Sequence, residues 1–253
     1  MGREISYSRS PAMQSAAFRA LDMAGWTYEL LDVAPEELHA AVEGLRAPDV
    51  AGANVTIPYK QSVMDQLDTV DAEALRARAV NTIVNADGRL TGYNTDIRAI
   101  DAAIALTGVE RRDLKAVILG AGGAARAAAV ALEGAHVTFV TRHPDSPDLP
   151  GRTVGWGEAA AATRTREAGL LINATPLGRR DEMPLRPNAL PKAGAVIDLV
   201  YITGGTPLIR KARSLGLPAV DGWEVLLSQG AGAFELWTGK SAPVDAMRET
   251  LSP

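Results

Sequence analysis

From residue 115 to about 201 the chain alternates short, almost wholly apolar runs with polar or alanine-rich stretches: KAVILG, AHVTFVTR, GLLINAT and AVIDLVY. A strand with no polar alternation must be covered on both faces, and the cheapest cover is a layer of helices on each side. Strand–helix alternation of this kind yields a parallel sheet, so the fold class is α/β. Between the first two runs, AGGAARAAAVALEG reads as the helix that returns the chain.

The first of these runs leads into a glycine loop. VILGAGGAARA places Gly120, Gly122 and Ala125 in a G-x-G-x-x-A pattern at a strand–turn–helix junction, with Ala121, Gly123 and Ala124 filling the loop. One reading is a tight turn that needs small residues. The other, which the context favours, is a dinucleotide site whose backbone amides approach a pyrophosphate at a helix N-terminus. About 20 residues after the first glycine, NAD sites place an acidic residue for the ribose 2′-hydroxyl. Here the next strand ends in Thr141-Arg142. A guanidinium in that place suits a 2′-phosphate, so NADP is expected over NAD. A solvent-facing loop arginine is the alternative.

Before residue 108 the grammar differs. Ser10 is expected as the N-cap of a helix, with Pro11 at its first position and Gly25 as its stop. TYELLDV reads as a strand, PEELHAAVEGLRA as a helix, and VAGANVTI as a buried strand ended by Pro58. AVNTIVNADGRLTGYNTD reads as a hairpin turning at Asp87-Gly88. Paired positions then sum to 175, so Asn81 faces Asn94, and Asp96 lies diagonal to Asn81 on the same face. A helix follows from about Ile97 to Gly108, and the tail from Asp221 returns to helix. At 253 residues the chain is long for one core and points to two domains or one large one.

Lys60, in GANVTIPYK, is one of only five lysines among 26 basic residues. Were NVTIPYK extended, Asn54, Thr56 and Lys60 would share a face. Reduction of a ketone by hydride also needs a proton for the emerging alkoxide. An ordinary lysine amine is charged at neutral pH and is a natural donor, with Asp96 available to hold it. The alternative is a solvated loop charge. Other chemistries find less support. Zero cysteines excludes thiolate catalysis, and His39, His136 and His143 lack metal-ligand spacing, so no metal is expected. A net charge of −4 without a basic stripe argues against nucleic acid. No apolar run approaches the roughly 18 residues of a membrane span. A soluble, cytoplasmic protein acting on a small molecule is expected.

Taken together, YSRSPAM, GANVTIPYK, AVNTIV, GYNTD, GAGGAARA, NATPLG, DLVY and SQGAGAFELWTG resemble, in order and over nearly the whole chain, the NADP-dependent shikimate dehydrogenase (shikimate 5-dehydrogenase) family. The resemblance implies two α/β domains around a cleft. A Rossmann-like cofactor domain (98–219) would be inserted into a discontinuous substrate domain (1–97, completed by 220–253). It implies reversible reduction of 3-dehydroshikimate to shikimate in aromatic amino-acid biosynthesis, with Lys60 and Asp96 as the catalytic pair. Ser8, Ser10, Thr56, Asn81, Tyr201 and Gln229 would bind substrate. Gly120, Ala121, Gly122, Gly123, Ala124, Thr141, Arg142 and Gly222 would bind NADP. A homodimer is compatible with it.

If Ser8 and Ser10 flank Arg9 in an extended segment, their hydroxyls point the same way, a cradle for a substrate carboxylate. Gln229 alone would read as a satisfied core amide and Tyr201 as a strand-end aromatic. The chain departs from the family pattern at Tyr7, where a histidine is common, and at Met13-Gln14-Ser15, where Met-His-Asn is usual. Thr141-Arg142-His143 replaces Asn-Arg-Thr, Ser146 stands where a second arginine is frequent, and only MGREISY precedes Ser8. A quinate/shikimate dehydrogenase using NAD, and a non-catalytic sensor of the ring acid, are the competing readings. The sensor would have been free to lose Lys60 or Asp96, and both are present.

Overall fold

In the computed structural model, which describes residues 1–145, 148–157 and 168–251, the four apolar runs are neighbouring parallel strands. They are β5 (Lys115–Leu119), β6 (His136–Thr141), β8 (Leu170–Asn173) and β9 (Ala195–Asp198). Two short strands extend the sheet at its edges, β7 (Arg152–Gly155) and β10 (Ala219–Val220). The order is β10-β9-β8-β5-β6-β7, with every pair parallel. Renumbered from β5 this is the 3-2-1-4-5-6 order of the doubly wound dinucleotide fold, and its direction reverses between β5 and β8. Ile118, opposite both Phe139 and Ile172, has no exposed surface, as a strand covered on both faces requires. Leu119, Val140, Leu171, Val196, Leu208 and Ile209 form the core beside the sheet. Each such side chain contributes about 1.5–3 kcal/mol when fully buried.

The chain divides into two compact units, one of Met1–Asp96 with Leu227–Pro253 and one of Ile97–Leu226. The parallel sheet belongs to the second, with α5 (Gly123–Ala131) and α6 (Pro207–Ser214).

A four-stranded sheet in the order β1-β3-β4-β2 organises the first unit. Its strands are β1 (Gly52–Asn54), β2 (Thr69–Val70), β3 (Thr82–Ala86) and β4 (Arg89–Tyr93). Thr82 faces Tyr93 and Ala86 faces Arg89, which is the expected register. Asp87 and Gly88 both have positive φ, 52° and 84°, the signature of a type I′ turn. Leu38 and Val42 of α2 (Leu38–Gly44) and Ala74 of α3 (Ala72–Ala77) share a core with Ala53, Ile83 and Leu90 of this sheet, and α1 (Ser10–Ala20) packs against α8 (Val244–Glu249). Two longer helices, α4 (Asp96–Thr107) and α7 (Gly222–Thr238), begin in one unit and continue in the other.

Three local expectations are corrected. TYELLDV is not a strand: among the described residues its ladder contact is a single bridge between Asp32 and Gly2, where Gly2 N donates to Leu31 O and Val33 N to Gly2 O. A one-residue partner cannot sustain a ladder, and Leu30 and Leu31 stay exposed. VAGANVTI supplies only the three residues of β1 before the chain coils into turns from Ile57 to Val63. Finally, Ser10 is the first helical residue rather than the N-cap. Arg9 takes that place in the αR region, with no side-chain cap.

Candidate active site

The hairpin register has a chemical consequence. Beyond the paired strands, Asn81 N donates to Tyr93 O at 3.0 Å, and the Asn81 side chain points toward the start of α4. There Asn81 Nδ2 donates to Asp96 Oδ1 at 2.8 Å. The orientation of that amide is itself determined, because Asn81 Oδ1 accepts from Thr95 N at 2.8 Å and from Thr82 Oγ1 at 2.9 Å. Asp96 N in turn donates to Asn94 Oδ1. The carboxylate is therefore held on one oxygen by a buried amide that cannot flip without losing two bonds.

The other oxygen meets Lys60. Its Nζ donates to Asp96 Oδ2 at 2.5 Å, and the two side chains are only 15% and 11% exposed. Lys60 does not reach this point along an extended strand. The coil after β1 carries it there, and its backbone is anchored by Val80 N donating to Lys60 O at 2.7 Å. An ammonium has three donors and Asp96 uses one, leaving the rest for another acceptor.

Asn54 extends the polar chain, accepting from Tyr28 Oη at 2.9 Å and donating to Thr82 Oγ1 at 3.1 Å. Thr82 and Thr95 are members of this network that the pattern of the sequence did not single out. The adjacency of Thr95 to Asp96 in GYNTD was the available signal.

Ser8 and Ser10 lie together, half-buried, at the start of α1, where Ser8 Oγ accepts from Ser10 N at 3.3 Å. With Arg9 at φ −91° and ψ −4° the segment is turned rather than extended, so alternation does not align the two hydroxyls. Thr56 precedes the coil that carries Lys60, with Tyr59 N donating to its carbonyl. Gln229 lies on α7, half-buried, three residues before Gly232 and so on the same helical side. A Cβ on Gly232 would sit 3.4 Å from Thr95 Cγ2, so that side of α7 lies close to the Asp96 cluster. The neighbouring turn is fixed by buried Gln14, whose Nε2 donates to Gly230 O at 2.9 Å.

The remaining residues belong to the second unit. Tyr201 packs its ring against Trp223 at a centroid distance of 4.9 Å. Gly222 opens α7 so tightly against Val200 that a Cβ would come 2.6 Å from its carbonyl carbon. After β5, Gly120 adopts φ 109°, which disfavours any L side chain. Gly122 is the N-cap of α5 with nothing within 4 Å of a notional Cβ. The first bond into the helix runs from Arg126 N to Gly122 O, so the N–H groups of Gly123, Ala124 and Ala125 have no helical acceptor. An open, amide-rich helix start of this kind fits a pyrophosphate. Thr141 is buried at the end of β6, and Arg142 beside it is exposed, with no carboxylate paired to it among the described residues. Ser146 lies outside the described residues.

A Rossmann-order sheet with such a loop, in one chain with a second α/β unit holding an amine–carboxylate pair, defines a dinucleotide-dependent oxidoreductase. Comparison with known proteins narrows the class. Residues 1–83 match the family model described as the shikimate dehydrogenase substrate binding domain, and residues 222–251 the shikimate 5′-dehydrogenase C-terminal domain. The chain is 39% identical to the shikimate dehydrogenase (NADP(+)) of Desulforamulus reducens, over 99% of this chain and 92% of that one. Its structure matches that of shikimate 5-dehydrogenase from Thermus thermophilus in complex with NADP(H) and shikimate. The TM-score is 0.88 and the identity 36%, with 99% and 96% of the two chains covered. Quinate dehydrogenase from Corynebacterium glutamicum in complex with NAD matches with a TM-score of 0.85 at 30% identity, covering 98% and 95%. The chain belongs to the shikimate dehydrogenase family.

Proposed function

We propose that the protein reduces 3-dehydroshikimate to shikimate, reversibly, with NADPH, in the biosynthesis of aromatic amino acids. The observation that carries this reading is the Lys60–Asp96 contact, braced by Asn81, in a chain of this family. Bound NADPH supplies the hydride. Lys60 donates a proton to the C3 oxygen in the same step and recovers one from solvent, and the oxidation runs the transfer backward. Asp96 keeps the amine in place and accepts from the reacting hydroxyl once the product forms. The first unit is assigned to the substrate and the second to the dinucleotide, with the pyrophosphate on residues 120–124 and the 2′-phosphate on Arg142. Thr56, Gln229 and the serines are assigned to the ring acid, as is Tyr201, and Gly222 to the cofactor. A cytoplasmic location is part of the proposal, supported by the acidic, cysteine-free composition.

The test is absorbance at 340 nm with shikimate or quinate and NADP⁺ or NAD⁺. Shikimate with NADP⁺ is expected to give the highest kcat/KM. A preference for quinate and NAD⁺ would move the assignment to quinate dehydrogenase, and no turnover by folded protein would move it to a sensor.

Ser8→Ala and Ser10→Ala are each expected to raise KM for shikimate severalfold while NADPH affinity stays unchanged. Ser10 Oγ caps no helix, so its loss costs the fold little. An unchanged KM in both variants would leave the serines with only their local turn.

A further inference from the structure

The loops after β5 and β8 lie side by side, because those strands are neighbours where the strand order reverses. An open α/β sheet takes its ligand at this place, outside the carboxyl ends of the strands. One wall is the glycine loop. The other is residues 174–178, so close that a Cβ on Gly120 would come 3.1 Å from Ala174 O and 3.2 Å from Thr175 Cγ2. With Arg142 on the β6 side and the pyrophosphate on the glycine loop, the rest of a dinucleotide extends toward this second wall.

A buried polar relay holds that wall. Asn173, with no exposed surface, donates Nδ2 to Leu177 O at 2.9 Å and to Asp198 Oδ1 at 2.9 Å. Its Oδ1 accepts from Thr175 N at 3.1 Å and from Thr175 Oγ1 at 2.7 Å. Both ends of the loop thus hang on one amide, which satisfies them in only one of its two orientations. Asp198 decides between the two: an ionised carboxylate only accepts, so the NH₂ must face it. Asp198 is also fully buried, accepting from Val200 N at 3.0 Å and from Thr206 Oγ1 at 2.6 Å.

We propose that Asp198 is a positioning residue for the cofactor, orienting Asn173 and through it the wall of residues 174–178, so that NADPH binds more weakly when Asp198 is neutral. This rests on the dinucleotide reading given above. Burial pushes the carboxyl up from its ordinary 3.8 to about 6, opposed by the bonds from Thr206, Val200 and Asn173, while the negative charge of Asp221 raises it further. Neither 174–178 nor 199–206 contains an acidic or basic residue, and on α6 Arg210 and Arg213 are engaged by Asp181 and Asp221. A raised folded pKa means the stability contributed by Asp198 is complete below 3.8 and is lost as the pH rises through about 6. At neutral pH the fold therefore carries a charge that costs it stability.

That sign separates positioning from mere structure. Asp198→Asn removes the buried charge, so its Tm at pH 8 is expected to be no lower than that of the unmodified protein. Its Kd for NADPH, read by fluorescence titration, is expected to be about tenfold weaker at pH 8, since a charge-assisted bond is roughly twice as strong as a neutral one. The ratio of the two Kd values should shrink to within about twofold at pH 5. The 2′-phosphate of the cofactor is common to both measurements, so its effect cancels in the ratio. Asn173→Ala, which removes both loop anchors, should weaken NADPH binding at every pH. If NADPH binds the unmodified protein and the Asp198→Asn ratio is unity or independent of pH, the proposal is overturned. Should Asp198→Asn not fold, unchanged affinity in Asn173→Ala has the same force. Failure of the unmodified protein to bind NADPH would overturn the dinucleotide reading itself.

Discussion

Lys60→Ala is expected to lower kcat by about 10²–10⁴-fold, the range that a positioned general acid–base contributes. The geometry explains why so much should rest on one amine. Among the described residues Lys60 Nζ has a single ionic partner, Asp96 Oδ2 at 2.5 Å, and the opposite oxygen of Asp96 is taken by Asn81. Asp96 is thus aimed before any substrate arrives, and the amine is aimed with it. Substrate KM should change less, because the ring carboxylate is assigned to other residues. Lys60→Arg should rescue poorly, since a guanidinium is larger and does not release its proton near neutral pH. Asp96→Asn should lower kcat as well, because the amide replaces the acceptor that holds the ammonium. If the two residues act as a unit, Lys60→Ala with Asp96→Asn should lose less than the sum of the single losses. Circular dichroism and thermal melting of each variant separate a lost proton donor from a lost fold. A kcat within twofold of the unmodified value, in folded Lys60→Ala, would leave Lys60 as a loop charge with no part in the chemistry.

The hairpin was legible in the sequence and the assembly of the site around it was not, for definable reasons. Asp87-Gly88 marks the hairpin tip and so determines the pairings from Ala86–Arg89 to Thr82–Tyr93, but the ladder stops there: Asn94 lies outside it, and Asn81 meets Asp96 at the turn that opens α4 rather than through strand alternation. Lys60 is a second case. Alternation along NVTIPYK would have placed it on the face of Asn54, but the chain leaves β1 at Asn54 and coils. Its position depends on a bond from Val80 N, twenty residues away, and no local pattern encodes a tertiary contact of that kind.

The parallel sheet was legible because its strands are apolar on both faces, whereas β7 and β10, of four and two residues, are too short to show a period. Asp198 was hidden by the same feature. It ends a run that reads as buried strand, and its partners Asn173 and Thr206 come from other segments. Where TYELLDV looked like a strand, the pattern was adequate and the partner was not.

Arg142→Asp is the second large effect, and it tests the proposed cofactor site. Arg142 follows buried Thr141 at the carboxyl end of β6, one strand over from the glycine loop, and its side chain is exposed with no acidic partner among the described residues. Its guanidinium is therefore available to a 2′-phosphate without first breaking an ion pair. Losing a charge-assisted bond of that kind should weaken NADPH by about 10- to 150-fold. The substituted carboxylate adds repulsion against the phosphate, and for NADH it offers an acceptor to the ribose 2′-hydroxyl, so NADH affinity should hold or rise. The quantity to measure is the ratio of Kd for the two cofactors, not either value alone. Because Arg142 is exposed, its contribution should also be screened: the NADPH preference of the unmodified protein should fall as salt rises, and the variant should show little of that dependence. Equal losses for NADPH and NADH would mean that Arg142 supports the fold of the loop rather than reading the phosphate.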